Sequence, residues 1–131
     1  MSIEAREIDA AANELVAAFG LHDKHRYFSC FSPDAVFLFH NHHAPLVGRQ
    51  AYMDLWDSWE SQDDFRVLSC ISSDRIIQII GRVAILSHTV RTRVSTAAGE
   101  SHTQERETVV FEKRNDRLLV VHEHLSLHES G

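Results

Sequence analysis

The residues best suited to chemistry are His88, the pair Glu105 and Glu107, and the run His122-Glu123-His124. Imidazole titrates near neutrality, and a neighbouring carboxylate can orient it and favour its charged form. Histidine and glutamate on one surface therefore make an acid–base unit that can take up and return a proton. Whether these residues share a surface is a question of strand register. From Phe65 onward the pattern has period two, and residues 66–80, 82–97, 101–114 and 117–127 read as four long strands. Gly81, Gly99 and Asn115-Asp116 mark the reversals, so consecutive strands pair antiparallel.

A two-residue turn at Asn115-Asp116 sets Arg114 opposite Arg117. Stepping outward, Phe111 faces Val120, Val109 faces His122 and Glu107 faces His124. A tight turn about Ala98-Gly99 pairs His88 with Val109, Val90 with Glu107 and Thr92 with Glu105. Directly opposite residues lie on the same face, and a slip of one residue inverts the assignment. In this register one face carries Leu86, His88, Val90, Val94, Glu105, Glu107, Val109, Phe111, Leu118, Val120, His122 and His124. The other carries Thr89, Arg91, Arg93, Arg106, Thr108, Val110, Val121, Glu123 and Leu125.

The first face has the composition of a pocket, with apolar walls and a few convergent polar groups. His88, Glu107, His122 and His124 are the candidate acid–base residues, with Glu107 and His124 as the central pair. Tyr27, His40, Tyr52, Trp56, Val90, Glu105 and Val109 are the candidate ligand contacts, and Asp23 offers a further carboxylate. Three readings stay open. The set can bind a small molecule, it can move protons in a cofactor-independent isomerase, lyase or hydrolase, or it can be a polar network that satisfies its own buried groups. A fourth, overlapping possibility is metal binding by His40-Asn41-His42-His43 and His122-Glu123-His124, although paired histidines alone are a weak signal and no metal residue is assigned. His22, His25, His102 and His128 read as solvated.

The elements that position these residues begin with helix. Ile8, Ala12, Leu15 and Phe19 recur at three- and four-residue steps, and Gly20 supplies a stop. Asp23 can cap a short second helix with Tyr27, Phe28 and Phe31 on its apolar side, broken by Ser32-Pro33-Asp34. Residues 35–40 form a short aromatic run that reads as a buried strand. After the loop at 42–45, Gly48 leads into a third helix with Tyr52, Leu55, Trp56 and Trp59 on one face. Helices followed by a meander of long strands make an α+β domain.

Bulk properties agree with one domain over residues 1–131. The composition is 44% hydrophobic and 24% charged, ordinary for a globular chain. A net charge of -6 argues against nucleic acid as a partner. No run approaches the roughly 20 apolar residues of a membrane helix, and the charged start lacks an export signal, so a cytoplasmic setting with reduced Cys30 and Cys70 is expected. Phosphate-cradling glycine loops and a nucleophile elbow are absent, and no cofactor is implied.

Several local stretches resemble one family. Ser32-Pro33-Asp34-Ala35-Val36 resembles its lead into the first strand, and Gly48-Arg49 with Ala51-Tyr52 resembles the start of its third helix. Residues 119–126, Leu-Val-Val-His-Glu-His-Leu-Ser, resemble its final strand. Over residues 5–127 the chain is similar to SnoaL-like members of the nuclear-transport-factor-two-like (cystatin-like) superfamily. It departs at Asn115-Asp116-Arg117-Leu118, where members often carry Asp-Gly-x-Trp. The resemblance implies three N-terminal helices on a strongly curved, mostly antiparallel sheet, a pocket between them, and a homodimer, here through the convex sheet face. It implies no single reaction, because the superfamily includes isomerases, dehydratases, epoxide hydrolases, cyclases and members that only bind.

Overall fold

A computed structural model describes residues 2–128. Helix α1, Ala5–Gly20, buries Ile8, Ala12, Leu15 and Ala18, the face its periodicity dictates. Helix α2, Lys24–Phe28, is capped as expected: the Asp23 side chain accepts from the Arg26 backbone N–H at 3.2 Å. Strand β1, Phe31–Phe39, begins four residues earlier than the aromatic run suggested, because Ser32-Pro33-Asp34 is absorbed as an irregularity within the strand instead of ending a helix. A two-residue strand β2, Leu46–Val47, pairs antiparallel with β1.

Gly48 starts helix α3, Arg49–Asp63, at φ 96°, a left-handed conformation that costs glycine little. Arg49 reaches back to donate to the Phe31 carbonyl at 3.0 Å, tying this helix to β1. The three expected helices are therefore present, the third following a strand as expected, and the two-residue β2 is the element the sequence reading lacked.

Four long strands complete the chain: β3, Arg66–Ile80; β4, Val83–Thr96; β5, Gly99–Arg114; and β6, Arg117–Leu127. With β1 and β2 they form a curved six-stranded sheet in the order β2-β1-β6-β5-β4-β3. All its pairings are antiparallel except β1 with β6, which is parallel. Asn115 and Asp116 both take positive φ, 50° and 62°, which a two-residue hairpin of right-handed twist requires.

Two register differences separate the observed sheet from the expected one. Between β4 and β5 the turn is Ala97-Ala98, so His88 faces Glu107 and Val90 faces Glu105. That is a two-residue displacement, and it leaves every side chain on its expected face. Between β5 and β6 the first pairs hold, Arg114 with Arg117 and Phe111 with Val120. Val121 is then bulged out, so Val110 faces His122, Val109 faces Glu123 and Glu107 faces Leu125. One extra residue turns over everything beyond it. Glu123 and Leu125 move to the concave face, and His122 and His124 leave it.

The concave face is divided along its length. Ala84, Leu86, Val109, Phe111 and Val120 are closed over by packing and belong to the core. Tyr27, Phe28, Phe31, Phe37, Tyr52 and Trp56 extend that core beneath the helices, with neighbouring ring centroids such as Phe37 and Tyr52 4.7 Å apart. The half nearer the β4–β5 turn is not filled, and there the candidate site lies.

Candidate functional site

A cavity of about 280 Å³ opens between α1, α2, α3 and the unfilled half of the concave face. Aromatic side chains make much of its wall: Phe19, Tyr27, Phe39, Tyr52, Trp59 and Phe65. Three carboxyls enter it, Glu105 and Glu107 from β5 and Glu123 from β6. Glu105 and Glu107 are two apart on one strand and so share a face. Glu123 lies diagonally across from Glu107, one pair along, because Val109 is its direct partner.

Each carboxyl has a different environment. Glu107 is held from behind by His88, whose Nε2 lies 2.8 Å from Oε1. His88 Nδ1 lies 2.7 Å from Ser72 Oγ, and that oxygen accepts from Arg75 Nε at 3.0 Å. Arg75 in turn donates to Asp9 Oδ1 at 3.1 Å. The Glu107 carboxylate can only accept, so Nε2–H donates to it, and in the neutral ring Nδ1 then accepts the Ser72 hydroxyl proton. The strand β3 bulge after Ser73 makes this possible by placing Arg75 beside Ser72. A chain of hydrogen bonds thus links α1, through Asp9, to the cavity wall.

Glu105 sits nearer the mouth. His40 Nε2 is 2.5 Å from its Oε2, and Thr103 Oγ1 donates to its Oε1 at 3.3 Å. Glu123 has neither kind of support among the described residues. It is only 2% exposed, and burial, then the charges of Glu107 and Glu105, push its carboxyl well above the usual range. A carboxyl held neutral at ordinary pH is a hydrogen-bond donor. Tyr27 and Tyr52 join their hydroxyls at 2.9 Å deep in the same cavity, and burial pushes both phenols upward. Cys70 completes the β3 wall, its thiol pushed up by burial to about 12.

The sequence-derived site is thus partly assembled. Glu107, Glu105, Val90, Tyr27, Tyr52 and His40 line the cavity. His88 does not reach it, but its ring is buried directly behind Glu107. His122 and His124 are corrections: the Val121 bulge puts them on the opposite face, so the expected Glu107–His124 pair does not exist. Trp56 and Val109 are corrections of another kind. Both lie on the expected face but are wholly buried under neighbouring packing, and Trp59, one turn along α3, forms the wall instead. Asp23 stays at its helix cap. His22, expected in solvent, is packed 5.0 Å from Trp56. Its Nδ1 accepts from the Val67 backbone N–H at 3.0 Å, so its Nε2 must donate to Glu60, 2.8 Å away.

Glu123 is the cavity residue that pattern reading missed. No residue type in the strand announces it: burial passes from Val120 to Glu123, an odd step that a strand permits only across a bulge and that shows only in the folded sheet. As for metals, no cluster of three or more histidine, cysteine or acidic side chains is placed to hold an ion among the described residues. No helix among them is long and apolar enough to cross a membrane.

The family model of the SnoaL-like domain matches residues 8–129. The chain belongs to the SnoaL-like family. Solved structures share this SnoaL-like fold over nearly its whole length. A putative calcium/calmodulin-dependent protein kinase II association domain from Xanthomonas campestris aligns with TM-score 0.80 at 21% identity, covering 98% of this chain and 91% of that one. An NTF2-like protein from Cytophaga hutchinsonii gives TM-score 0.80 at 15% identity, covering 96% and 100%. A protein from Catenulispora acidiphila, solved in complex with S-DNPA, gives TM-score 0.75 at 15% identity over 92% and 90%. Identities this low establish the shared fold alone. No curated protein matches the sequence.

Proposed function

We propose that this SnoaL-like domain binds a small organic molecule in the cavity between α1, α2, α3 and the concave sheet. One observation carries the reading: a half-open, aromatic-walled space of about 280 Å³ into which the carboxyl of Glu123, without a partner among the described residues, projects. Small-molecule sites have this makeup, apolar walls with few polar groups, and this one is near the lower end of their roughly 300–1000 Å³ range. A monocyclic ligand fits such a volume. Ligand-observed NMR of a library of small aromatic compounds tests it, with Val90→Phe as the cavity-filling control. Hits that bind wild type and lose binding in Val90→Phe support the reading; hits indifferent to Val90→Phe place the site elsewhere.

A second reading is proton transfer on that ligand. It is favoured by the asymmetry between Glu107, which accepts from His88, and Glu123, which has no such partner and keeps its proton. Two carboxyls in different environments are what an acid and a base require. Deuterium from solvent should then enter the bound ligand at a carbon next to an electron-withdrawing group, and Glu107→Gln should stop it. A bound ligand that never exchanges leaves binding as the function.

The convex face is the surface we assign to a second copy of the chain. Ile71 and Ile76 project from its β3 edge strand and are 60% and 64% exposed. Leu125, expected on that face, is in the cavity and contributes nothing to it. Light scattering at micromolar concentration should give twice the chain mass; monomer throughout would exclude this assembly.

A further inference from the structure

Glu105, Glu107 and Glu123 enter one cavity whose wall, among the described residues, includes no lysine or arginine. Removing acids from water without a compensating cation is unfavourable, so such groups are normally paired. Two of the three have a partner within the protein. His40 lies 2.5 Å from Glu105, and His88 lies 2.8 Å from Glu107. The third, Glu123, is 2% exposed, faces the cavity and is without a hydrogen-bond partner among the described residues. The remaining wall presents ring faces and edges of Phe19, Tyr27, Phe39, Tyr52, Trp59 and Phe65, a surface that attracts cations as well as apolar groups.

We propose that the cavity's ligand is a cationic amine, its ammonium group seated among Glu105, Glu107 and Glu123 and its carbon body against the aromatic wall. This names the ligand class for the binding reading above and rests on it. An anionic ligand is opposed by the carboxylates of Glu105 and Glu107. A neutral ligand fits sterically but leaves the acids uncompensated. An ammonium group supplies three N–H donors and the missing positive charge.

A consequence for protons distinguishes the three classes. In the free protein Glu123 keeps its proton, because burial first, and Glu107 and Glu105 next, oppose a further negative charge. The other titratable groups facing it are Tyr27 from α2, Tyr52 from α3 and Cys70 from β3, with His40 and His88 acting through their glutamates. Tyr27, Tyr52 and Cys70 are held neutral by burial, and α1 presents only Leu15, Val16 and Phe19. An arriving cation lowers the cost of ionising Glu123, so the amine binds with release of a proton.

The test compares benzylamine, benzyl alcohol and benzoate, which have nearly one shape and three charges, by calorimetry between about pH 5 and pH 8, across which the amine stays an ammonium ion. Benzylamine should bind at least about tenfold more tightly than the alcohol, and benzoate should bind worst. Its Kd should tighten with rising pH, by up to about tenfold per pH unit while Glu123 is still protonated. Titration in buffers of different ionisation enthalpy should show the proton leaving. Glu123→Gln should flatten the pH dependence and reduce the preference for amine over alcohol. Alcohol binding as tight as amine, or amine affinity flat with pH in wild type, overturns the amine assignment and leaves the binding reading intact. No binding by any of the three overturns both.

Discussion

His88 and Glu107 stand directly opposite one another on β4 and β5, and the imidazole Nε2 meets the carboxylate Oε1 at 2.8 Å. The same ring is anchored from behind by Ser72, which is itself anchored by Arg75. His88→Ala should leave both Glu107 and Ser72 without their buried partner and lower stability by roughly 2–4 kcal/mol, measured by denaturant unfolding. Ser72→Ala should cost about 1 kcal/mol. The double variant should cost less than the sum of the two, because the hydroxyl has nothing left to hold once the ring is gone.

Glu123 makes stability depend on pH in the direction opposite to an ordinary paired carboxylate. Its folded pKa is raised by burial and by Glu107 and Glu105, so the native state holds this proton more tightly than the unfolded chain. Its contribution is fully present below the unfolded value of about 4.5, and is lost as pH rises from there through the folded pKa. Glu123→Gln mimics the neutral acid at every pH. The variant should match wild type near pH 4.5 and melt higher at pH 8, at roughly 4 °C for each kcal/mol gained. A wild-type advantage at pH 8 in a calorimetric scan would show that Glu123 is stabilised as an anion.

Tyr27 and Tyr52 share one hydrogen bond, at 2.9 Å, within the aromatic core. Tyr27→Phe or Tyr52→Phe alone should cost about 1–2 kcal/mol, since each strands the other hydroxyl. Replacing both should be closer to neutral than either single change, because no polar group is then left unsatisfied. Chemical denaturation of the three variants checks the order.

Both thiols should be inert while the protein is folded. Burial pushes Cys70 to about 12 and Cys30 to about 11, so almost no thiolate is present at neutral pH. Iodoacetamide followed by mass spectrometry should label neither in the native protein and both after unfolding. Rapid native labelling of Cys70 would mean that its cavity wall opens.

Much of the architecture is legible in local pattern. Helix α1 follows from Ile8, Ala12 and Leu15 at helical spacing, and the last hairpin from Asn115-Asp116, whose residue types tolerate the positive φ that both adopt. The strands follow from their alternation. The concave placement of Glu105, Glu107 and Val90 survives even a misplaced β4–β5 turn, because that displacement is two residues and the side-chain period is two.

Facing is determined locally only until the alternation breaks. At Val121 a single unpaired residue exchanges His122 and His124 for Glu123. Nothing in the run His122-Glu123-His124 reveals this, because either phase puts chemically competent groups inside. The parallel partner β1 and the core above Phe111 and Val120 hold the bulge in place, and those contacts come from distant parts of the chain. Depth is likewise a tertiary property. Periodicity puts Trp56 and Trp59 on one helix face, but only the packing of Phe19, His22, Tyr27, Phe28 and Phe65 around Trp56 buries the first while the second stays beside the cavity. The amino-acid sequence by itself determined the three helices, the long strands, their order and which residue types were available for chemistry, since these depend on propensity and on contacts between near neighbours. The identity of the acid in the cavity was decided by tertiary structure, because one bulge costs little locally and changes the facing of every residue after it.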